Sequence, residues 1–129
     1  MKYLLDTHTL IWFVLANPKL GSSTQQLLER SRQDEVAVSV ANFVEIEIKL
    51  AVGKLKAGAD IQQKVTSQKL PVLPIHAEHA RQLRSLRLIH RDPFDRLLLA
   101  QAMSENLTLI TGDTDMLKYP NVKLWDARK

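Results

Sequence analysis

Short apolar runs alternate along the chain with longer segments whose apolar residues recur at helical spacing. The first run, "KYLL", ends at Asp6 and predicts a strand. The segment after it, "THTLIWFVLANPKL", predicts a helix that ends at Asn17-Pro18. By the same patterns the chain predicts further helices over residues 22–32, 41–52, 58–69, 76–86 and 94–105, and further strands in "EVAVS", "LPVLPI", "LTLIT" and "VKLWD".

This alternation predicts an α/β fold in which a mostly parallel central sheet carries helices on both faces. The segment "VKLWD" is expected to form an edge strand. No repeat, low-complexity tract or linker divides the 129 residues, so we expect residues 1–129 to form a single domain. In such a fold, ligands bind beyond the carboxyl ends of the strands.

Composition narrows the function classes. The chain has no cysteine, which excludes a disulfide framework, a thiolate zinc site and a cysteine nucleophile. Asp6 and His8 interrupt the apolar N-terminal segment, no cleavage signal follows it, and no apolar run reaches the roughly 18 residues of a membrane span. We therefore expect a cytoplasmic protein with no membrane partner.

The basic residues are unevenly distributed. Eighteen Lys and Arg against fourteen Asp and Glu give a net charge of +4, which mildly favours a polyanionic partner such as nucleic acid. Five of the eight arginines fall between residues 81 and 96. A solvated basic face explains this cluster as well as a binding surface does.

Acidic residues follow the predicted strands. Asp6 follows the first strand and Asp113 follows "LTLIT", so parallel pairing brings both to the same edge of the sheet. Glu45 lies one turn into the helix after the second strand, which also starts at that edge. Asp95 opens the helix before "LTLIT", and the expected start of that helix is the opposite edge unless its loop carries it back. Topology therefore leaves Asp95 open.

Four clustered carboxylates need a compensating charge or proton. Each close pair repels by roughly 4 kcal/mol at about 4 Å in a surface-like dielectric. Either raised pKa values neutralise some of the acids, or a hard divalent cation such as Mg²⁺ or Mn²⁺ binds among them. A cation held in this way can activate water for attack on phosphorus.

Several of these acids also have a purely structural explanation. Asp6 could cap the helix that follows it, and Glu47 competes with Glu45 for any role on its helix. Asp113 and Asp115 lie in "TGDTD", where Gly and Asp are typical of turns.

The stretch "DPFD" carries the strongest structural alternative. Asp92 suits the N-cap of a helix, Pro93 its first position, and Asp95 the acidic third position. The residues alone do not decide whether these aspartates start the helix or hold a ligand.

Four stretches, in this order along the chain, are similar to a known family. They are "YLLDTHTLIW", "VSVANFVEIEIKLAVGKL", "HRDPFDRLLLAQAMSENLTLITGD" and "VKLW". Together they resemble the PIN-domain ribonucleases, and specifically the VapC-like toxins of prokaryotic toxin–antitoxin pairs. The resemblance spans nearly the whole chain and implies a PIN-like three-layer α/β/α sandwich.

The resemblance also implies a site. It favours Asp95 over Asp92 as a metal ligand and leaves Asp92 to cap the helix or support the site. The stretch "TGDTD" differs from the arrangement that other members of the broader family carry after the last central strand, which leaves the roles of Asp113 and Asp115 open. Asp113 is the expected ligand. The implied catalytic and metal-binding acids are Asp6, Glu45, Asp95 and Asp113, and the residues implied beside them are Asp92, Asp115, Thr7, Ser39 and Thr111.

The activity implied is that of an endoribonuclease dependent on Mg²⁺ or Mn²⁺, with an RNA substrate, a cognate antitoxin as partner, and a homodimeric assembly. Hydrolysis by a metal-bound water would leave a 3′-hydroxyl and a 5′-phosphate. Contacts to RNA phosphates are expected from nearby basic residues, chiefly Arg91 and Arg96, with Arg84, Arg87, Lys49 and Lys54.

Two other classes compete with the nuclease. A phosphoacceptor receiver domain would need a lysine after a late strand, which "LTLITGD" does not supply. A catalytically inactive RNA- or protein-binding module would retain the fold, but the presence of all four acids weighs against a decayed site. The spacing of His76 and His79 matches no zinc motif, so we expect surface or helix-terminal roles for both. His8 and His90 lie close to the site segments and receive no assigned role.

Overall fold

The structure is a computed structural model and describes residues 1–129. Its centre is one sheet of five strands in the order β3-β2-β1-β4-β5, and every neighbouring pair is parallel. The predicted α/β class and central parallel sheet are confirmed. The strands are β1 (Tyr3–Leu5), β2 (Val36–Ser39), β3 (Val72–Leu73), β4 (Thr108–Thr111) and β5 (Lys123–Asp126).

The helices occupy the segments that the apolar spacing predicted, with shifted ends. The predicted helix 22–32 ends at Arg30, because Ser31 adopts an extended backbone. The predicted helix 76–86 becomes a short α-helix followed by a 3₁₀ turn over Leu83–Ser85. The α-helices are α1 (Thr7–Val14), α2 (Ser22–Arg30), α3 (Val40–Ala51), α4 (Ile61–Ser67), α5 (Ala77–Gln82) and α6 (Pro93–Glu105).

Alternating side chains on the strands build two separate cores. Leu4 and Leu109 belong to a cluster that includes buried residues of α6, whereas Leu5 and Ile110 belong to a cluster that includes buried residues of α1 and α4. Successive strand residues point to opposite faces of the sheet, so β1, β2 and β4 each contribute to both clusters. The result is the three-layer α/β/α sandwich that was expected. None of the helices is long and apolar enough to cross a membrane.

The strand register aligns three chain turns at one edge. Leu4 pairs with Ala37 on one side and with Leu109 on the other, which places the ends of β2, β1 and β4 side by side. The chain leaves these strands at Asp6, Val40 and Gly112. We call this the carboxyl edge of the sheet.

His79 was expected at the surface or at a helix end. Only the second alternative is right, because its side chain is fully buried and its Nδ1 accepts the His76 N–H at 3.0 Å. His76 is the N-cap residue of α5, so this bond closes the first turn of that helix. Both nitrogens of the His79 ring therefore have protein partners, since Nε2 lies 3.4 Å from Glu105 Oε2.

Candidate active site

Asp6 lies at the centre of the carboxyl edge, directly after β1. Its carboxylate is 3% exposed, Oδ1 accepts the Thr9 N–H at 2.8 Å, and Oδ2 accepts the hydroxyl of Thr111 from the neighbouring strand. Burial raises the pKa of Asp6, and the hydrogen bonds from Thr111 and Thr9 lower it only in part. Asp6 therefore caps α1, as its structural explanation required, and also presents a buried carboxylate at this edge.

Glu45 projects from the second turn of α3 into the same edge. It is 2% exposed, its Oε1 accepts the Thr7 hydroxyl at 2.5 Å, and its Oε2 pairs with Lys49 Nζ at 2.6 Å. Asn42 holds Thr7 in place by donating to its hydroxyl oxygen at 3.0 Å. Glu47 is exposed. The competition between the two glutamates is thereby settled in favour of Glu45 as the residue at the edge.

Asp92 starts α6. Its Oδ1 accepts the N–H groups of Phe94 at 2.9 Å and of Asp95 at 3.1 Å, and Pro93 occupies the first helical position. These bonds satisfy backbone donors that would otherwise lack partners at a helix start. Asp92 is thus the N-cap that the sequence suggested.

Asp95 lies on the first turn of α6, at the carboxyl edge. The expectation that a helix preceding a parallel strand starts at the opposite edge was wrong. Because α6 must return the chain to the amino end of the sheet before β4 begins, α6 runs antiparallel to the strands and starts where they end. Topology alone therefore brings Asp95 to the acids after β1 and β4.

The surroundings of Asp95 favour the protonated form of its carboxyl group. Burial and the negative charges of Asp92, Glu45 and Asp6 raise the pKa of Asp95 to about 7. Among the leading causes, only the charge of the nearby His90 lowers this pKa. Burial is the largest cause of the shift, and the repulsion by the three neighbouring carboxylates adds to it.

His90 bridges two of the acids, a role that the sequence interpretation missed. Its Nδ1 accepts the Asp92 N–H at 3.2 Å, and its Nε2 lies 2.8 Å from Asp95 Oδ2 and 3.2 Å from Asp113 Oδ2. Since Nδ1 acts as an acceptor, the hydrogen-bond pattern assigns the ring proton to Nε2, which donates to the carboxylates. His90 therefore lies between Asp95 and Asp113 and sets their spacing.

Asp113 combines a turn with a place at the site. Its Oδ1 accepts the N–H groups of Asp115 at 2.8 Å and of Met116 at 3.1 Å, which orders the 3₁₀ turn Met116–Lys118. Its Oδ2 points to His90. Asp113 therefore both forms the turn and faces the acid cluster.

The ligand atoms form two overlapping groups that share Asp95. Within each group the atoms all lie within 4.8 Å of one another, and the groups are Glu45, Asp92 and Asp95, and His90, Asp95 and Asp113. Asp6 belongs to neither group, but it lines one cavity with Asp113 and its charge raises the pKa of Asp95. A set dominated by carboxylate oxygens suits a hard divalent cation.

A comparison with protein-family models matches residues 3–122 to the PIN domain. The chain belongs to the PIN-domain family. A search of curated proteins finds no matching sequence. The four stretches that carried the resemblance thus identified the family correctly.

Solved structures with this PIN-domain fold include chains of toxin–antitoxin assemblies. A chain in VapBC2 from Rickettsia felis bound to a promoter DNA fragment has a TM-score of 0.72 and 22% identity, with 98% of each chain covered. A chain in DNA-bound VapBC from Salmonella typhimurium has a TM-score of 0.69 and 20% identity, also over 98% of each chain. A toxin-antitoxin complex from Klebsiella pneumoniae gives 0.65 and 21%, again over 98% of each chain. At these identities the similarity establishes the fold.

The hydroxyl residues expected beside the PIN-domain acids divide into two sets. Thr7 and Thr111 contact Glu45 and Asp6 directly. Ser39 contacts no acid, because its hydroxyl donates to Gln101 Oε1 at 2.5 Å and accepts the Ala41 N–H at 3.0 Å. Ser39 therefore joins the start of α3 to α6 and lies outside the acid cluster.

Asp115 also lies outside the acid cluster of this PIN domain. Its Oδ1 lies 3.4 Å from Lys118 Nζ, and its side chain is 51% exposed. Its backbone N–H supports Asp113, as described above. The structure therefore favours Asp113 as the acid that faces the cluster after β4.

The basic residues differ in whether their charged groups already have partners within the protein. The guanidinium of Arg96 donates to the carbonyl oxygens of Leu83, Arg87 and His90, so it holds together the loop that positions His90. Lys49 is engaged with Glu45 at the acid cluster. Arg84, Arg87 and Arg91 have exposed side chains.

Proposed function

We propose that this PIN domain is a metal-dependent endoribonuclease and the toxin of a toxin–antitoxin pair. The observation that carries the proposal is the shared position of Asp95, whose carboxylate belongs to two groups of metal-ligating atoms and whose pKa is raised to about 7. A site of this kind is unfavourable for four free carboxylates and favourable for a divalent cation. The family and the matching toxin–antitoxin structures support the same activity.

The residues present fit Mg²⁺ or Mn²⁺. Glu45, Asp95 and Asp113 would hold the ion or ions, with Asp6 beneath them, because each carboxylate has an oxygen at the carboxyl edge that is not fully used by the backbone. When bound, the cation supplies an activated water and stabilises negative charge on the scissile phosphate. His90 contacts the carboxylates of both Asp95 and Asp113 and so fixes their relative position, and the Thr7 hydroxyl orients Glu45.

The chain's own residues would bind and orient RNA around this cluster. Arg87 and Arg91, with Arg84, have free exposed side chains on the segment leading to α6. They would contact backbone phosphates, which gives affinity that weakens with salt and carries little sequence preference. Arg96 and Lys49 are not proposed as phosphate contacts. The Arg96 guanidinium is bonded to backbone carbonyls of the loop before α6, and the Lys49 ammonium is paired with Glu45. The attacking group would be a metal-activated water and no side chain would act as a covalent nucleophile. The 3′ oxygen would leave from phosphorus, so the products would be a 3′-hydroxyl and a 5′-phosphate.

A protein partner is the second part of the proposal. Val44 and Ile48, one turn apart on α3, and Val52 just beyond it are 41%, 48% and 60% exposed. An apolar row of this kind on a helix suits a partner. The apolar residues of α1 support an interface less well, since Leu10 is buried and Trp12 and Phe13 pack against the core cluster that contains Leu5 and Ile110. We propose a cognate antitoxin and a homodimer acting in the cytoplasm.

Cleavage of RNA by the purified protein tests this proposal. With Mg²⁺ or Mn²⁺ we expect fragments of a mixed-sequence RNA that end in 3′-hydroxyl groups. Excess EDTA and the substitution Asp6→Asn are each expected to lower the cleavage rate at least about 100-fold, because either change weakens the stabilisation of transition-state charge. Equal cleavage in EDTA would refute metal dependence. RNA binding without cleavage under every metal condition would support the inactive binding module instead.

A further inference from the structure

A cavity of about 320 Å³ opens beside the acid cluster. Its volume lies at the lower end of the roughly 300–1,000 Å³ of ligand-binding clefts. Besides two of the acids, its lining offers an aromatic ring, a histidine and a lysine. The lining residues are Asp6, His8, Trp12, Lys19, Gly112 and Asp113.

Trp12 lies over the turn that follows β4. A Cβ added to Gly112 would lie 3.0 Å from two atoms of the indole ring, so the absence of a side chain at this position lets the ring approach the backbone. The ring centroid of His8 lies 6.4 Å from that of Trp12, with the planes inclined by 40°. Trp12 is half-buried and packs against the core cluster that contains Leu5 and Ile110, while His8 and Lys19 are exposed.

We infer that this cavity binds an unpaired nucleobase of the RNA, stacked against Trp12, next to the phosphate that the acid cluster would cleave. The inference rests on the proposed function, because Asp6 and Asp113 belong both to the cavity and to the acid cluster. Every base has a π face, so an aromatic platform binds bases with little regard to sequence. The ammonium of Lys19 would contact a neighbouring phosphate.

This arrangement selects single-stranded RNA. A base in a duplex is stacked between its neighbours and cannot enter a side cavity, whereas bases in loops and single strands can be splayed onto aromatic side chains. The nearby carboxylates repel the phosphate backbone unless a cation is bound. The base and the Lys19 contact therefore add affinity where the acids alone would oppose RNA.

The test measures RNA binding in an Asp95→Asn background, so that cleavage does not deplete the probe. The probe is a fluorescently labelled single-stranded RNA of mixed sequence and about ten nucleotides, within the usual site size. Trp12→Ala is expected to weaken binding by about 5- to 150-fold, the loss of one base–aromatic stack. Trp12→Phe should retain most of the affinity because it keeps a ring. The Asp95→Asn protein with no further substitution should bind the same RNA much more weakly in a duplex than as a single strand.

Trp125→Phe provides the matched control. Trp125 is the only other tryptophan, and its indole N–H donates to the hydroxyl of Thr24 at 2.9 Å, away from the cavity. This variant should bind RNA as its background does, and its remaining indole fluorescence, from Trp12, should change when RNA binds. Lys19→Gln should reduce the slope of log affinity against log salt by about 0.7. Thermal melts of each variant establish that it is folded.

Four results would overturn the inference: equal RNA affinity of folded Trp12→Ala and Trp125→Phe, equal affinity for the duplex, unchanged fluorescence in Trp125→Phe, or an unchanged salt slope in Lys19→Gln. The fluorescence and salt measurements decide the matter even if Trp12→Ala does not fold. If the protein cleaves RNA but Trp12 does not affect binding, only the cavity assignment fails. If binding depends on Trp12 and no cleavage occurs with any metal, the nuclease proposal fails and the cavity assignment stands.

Discussion

The Asp95→Asn variant is expected to cleave RNA roughly a thousandfold more slowly than the parent, because a bound cation contributes several kcal/mol to stabilising the transition state. Asp95 is the one residue shared by both groups of metal-ligating atoms. The substitution keeps the size of the side chain and removes one negative charge. Initial rates at saturating Mg²⁺, with a mixed-sequence RNA, measure the effect.

Asp60→Asn is the matched control for this prediction. Asp60 carries the same carboxylate, but it is exposed and its Oδ2 lies 3.5 Å from Lys64 Nζ, outside the acid cluster. Its substitution should leave the rate within about twofold, since exposed ion pairs contribute little. Similar rates for the two variants would show that Asp95 has no part in catalysis.

Without metal, the free energy of unfolding is expected to fall as the pH rises from about 5 to about 7. The folded pKa of Asp95 is about 7, whereas an unfolded aspartate has a pKa of about 3.9. Between these values the folded protein keeps a proton that the unfolded chain has released. Stability contributed by that proton is fully present below the unfolded pKa and is lost as the pH approaches the folded one. The expected slope is about −1.4 kcal/mol per pH unit.

Urea unfolding in EDTA at several pH values measures this slope. Asp6, whose pKa is also raised by burial, contributes a slope of the same sign. Asp95→Asn should therefore show a smaller slope and, at pH 8, higher stability than the parent. If the parent and the variant have the same slope, the assignment of the raised pKa to Asp95 is wrong.

The sequence predicted the sheet and two of the acids for a simple reason. The apolar runs mark the strands, and parallel pairing then brings the residues after β1 and β4 to one edge, whatever the details of packing. Asp6 and Asp113 follow from this rule. The N-cap role of Asp92 follows equally from local chemistry, because the acceptor and the donors are only two or three residues apart.

The remaining features of the site depend on tertiary geometry. Composition could not decide between Glu45 and Glu47, because the choice depends on how α3 is rotated against the sheet. The position of Asp95 was left open by a mistaken rule about where α6 starts. The family resemblance favoured Asp95 as a site acid, and the structure places it at the carboxyl edge. The role of His90 depends on the path of the loop that Arg96 holds by backbone carbonyls, and neither residue type nor spacing encodes that path.

One contact of the site could have been predicted and was not. Lys49 follows Glu45 by four residues, so the two side chains face each other on a helix. The sequence interpretation assigned Lys49 to RNA instead, because its charge was considered without its neighbour on the helix. Its ammonium lies 2.6 Å from a carboxylate of the proposed metal site.

Titration of Mn²⁺ into the metal-free protein, followed by electron paramagnetic resonance of the free ion, tests the central claim most directly. The claim is that acids distant in sequence form one cation site around Asp95. The expected result is saturable Mn²⁺ binding by the parent and by Asp60→Asn, with binding at least about 100-fold weaker in Asp95→Asn, the upper range for loss of a supporting group. Absence of saturable binding by the parent, or equal binding by all three proteins, would contradict the claim.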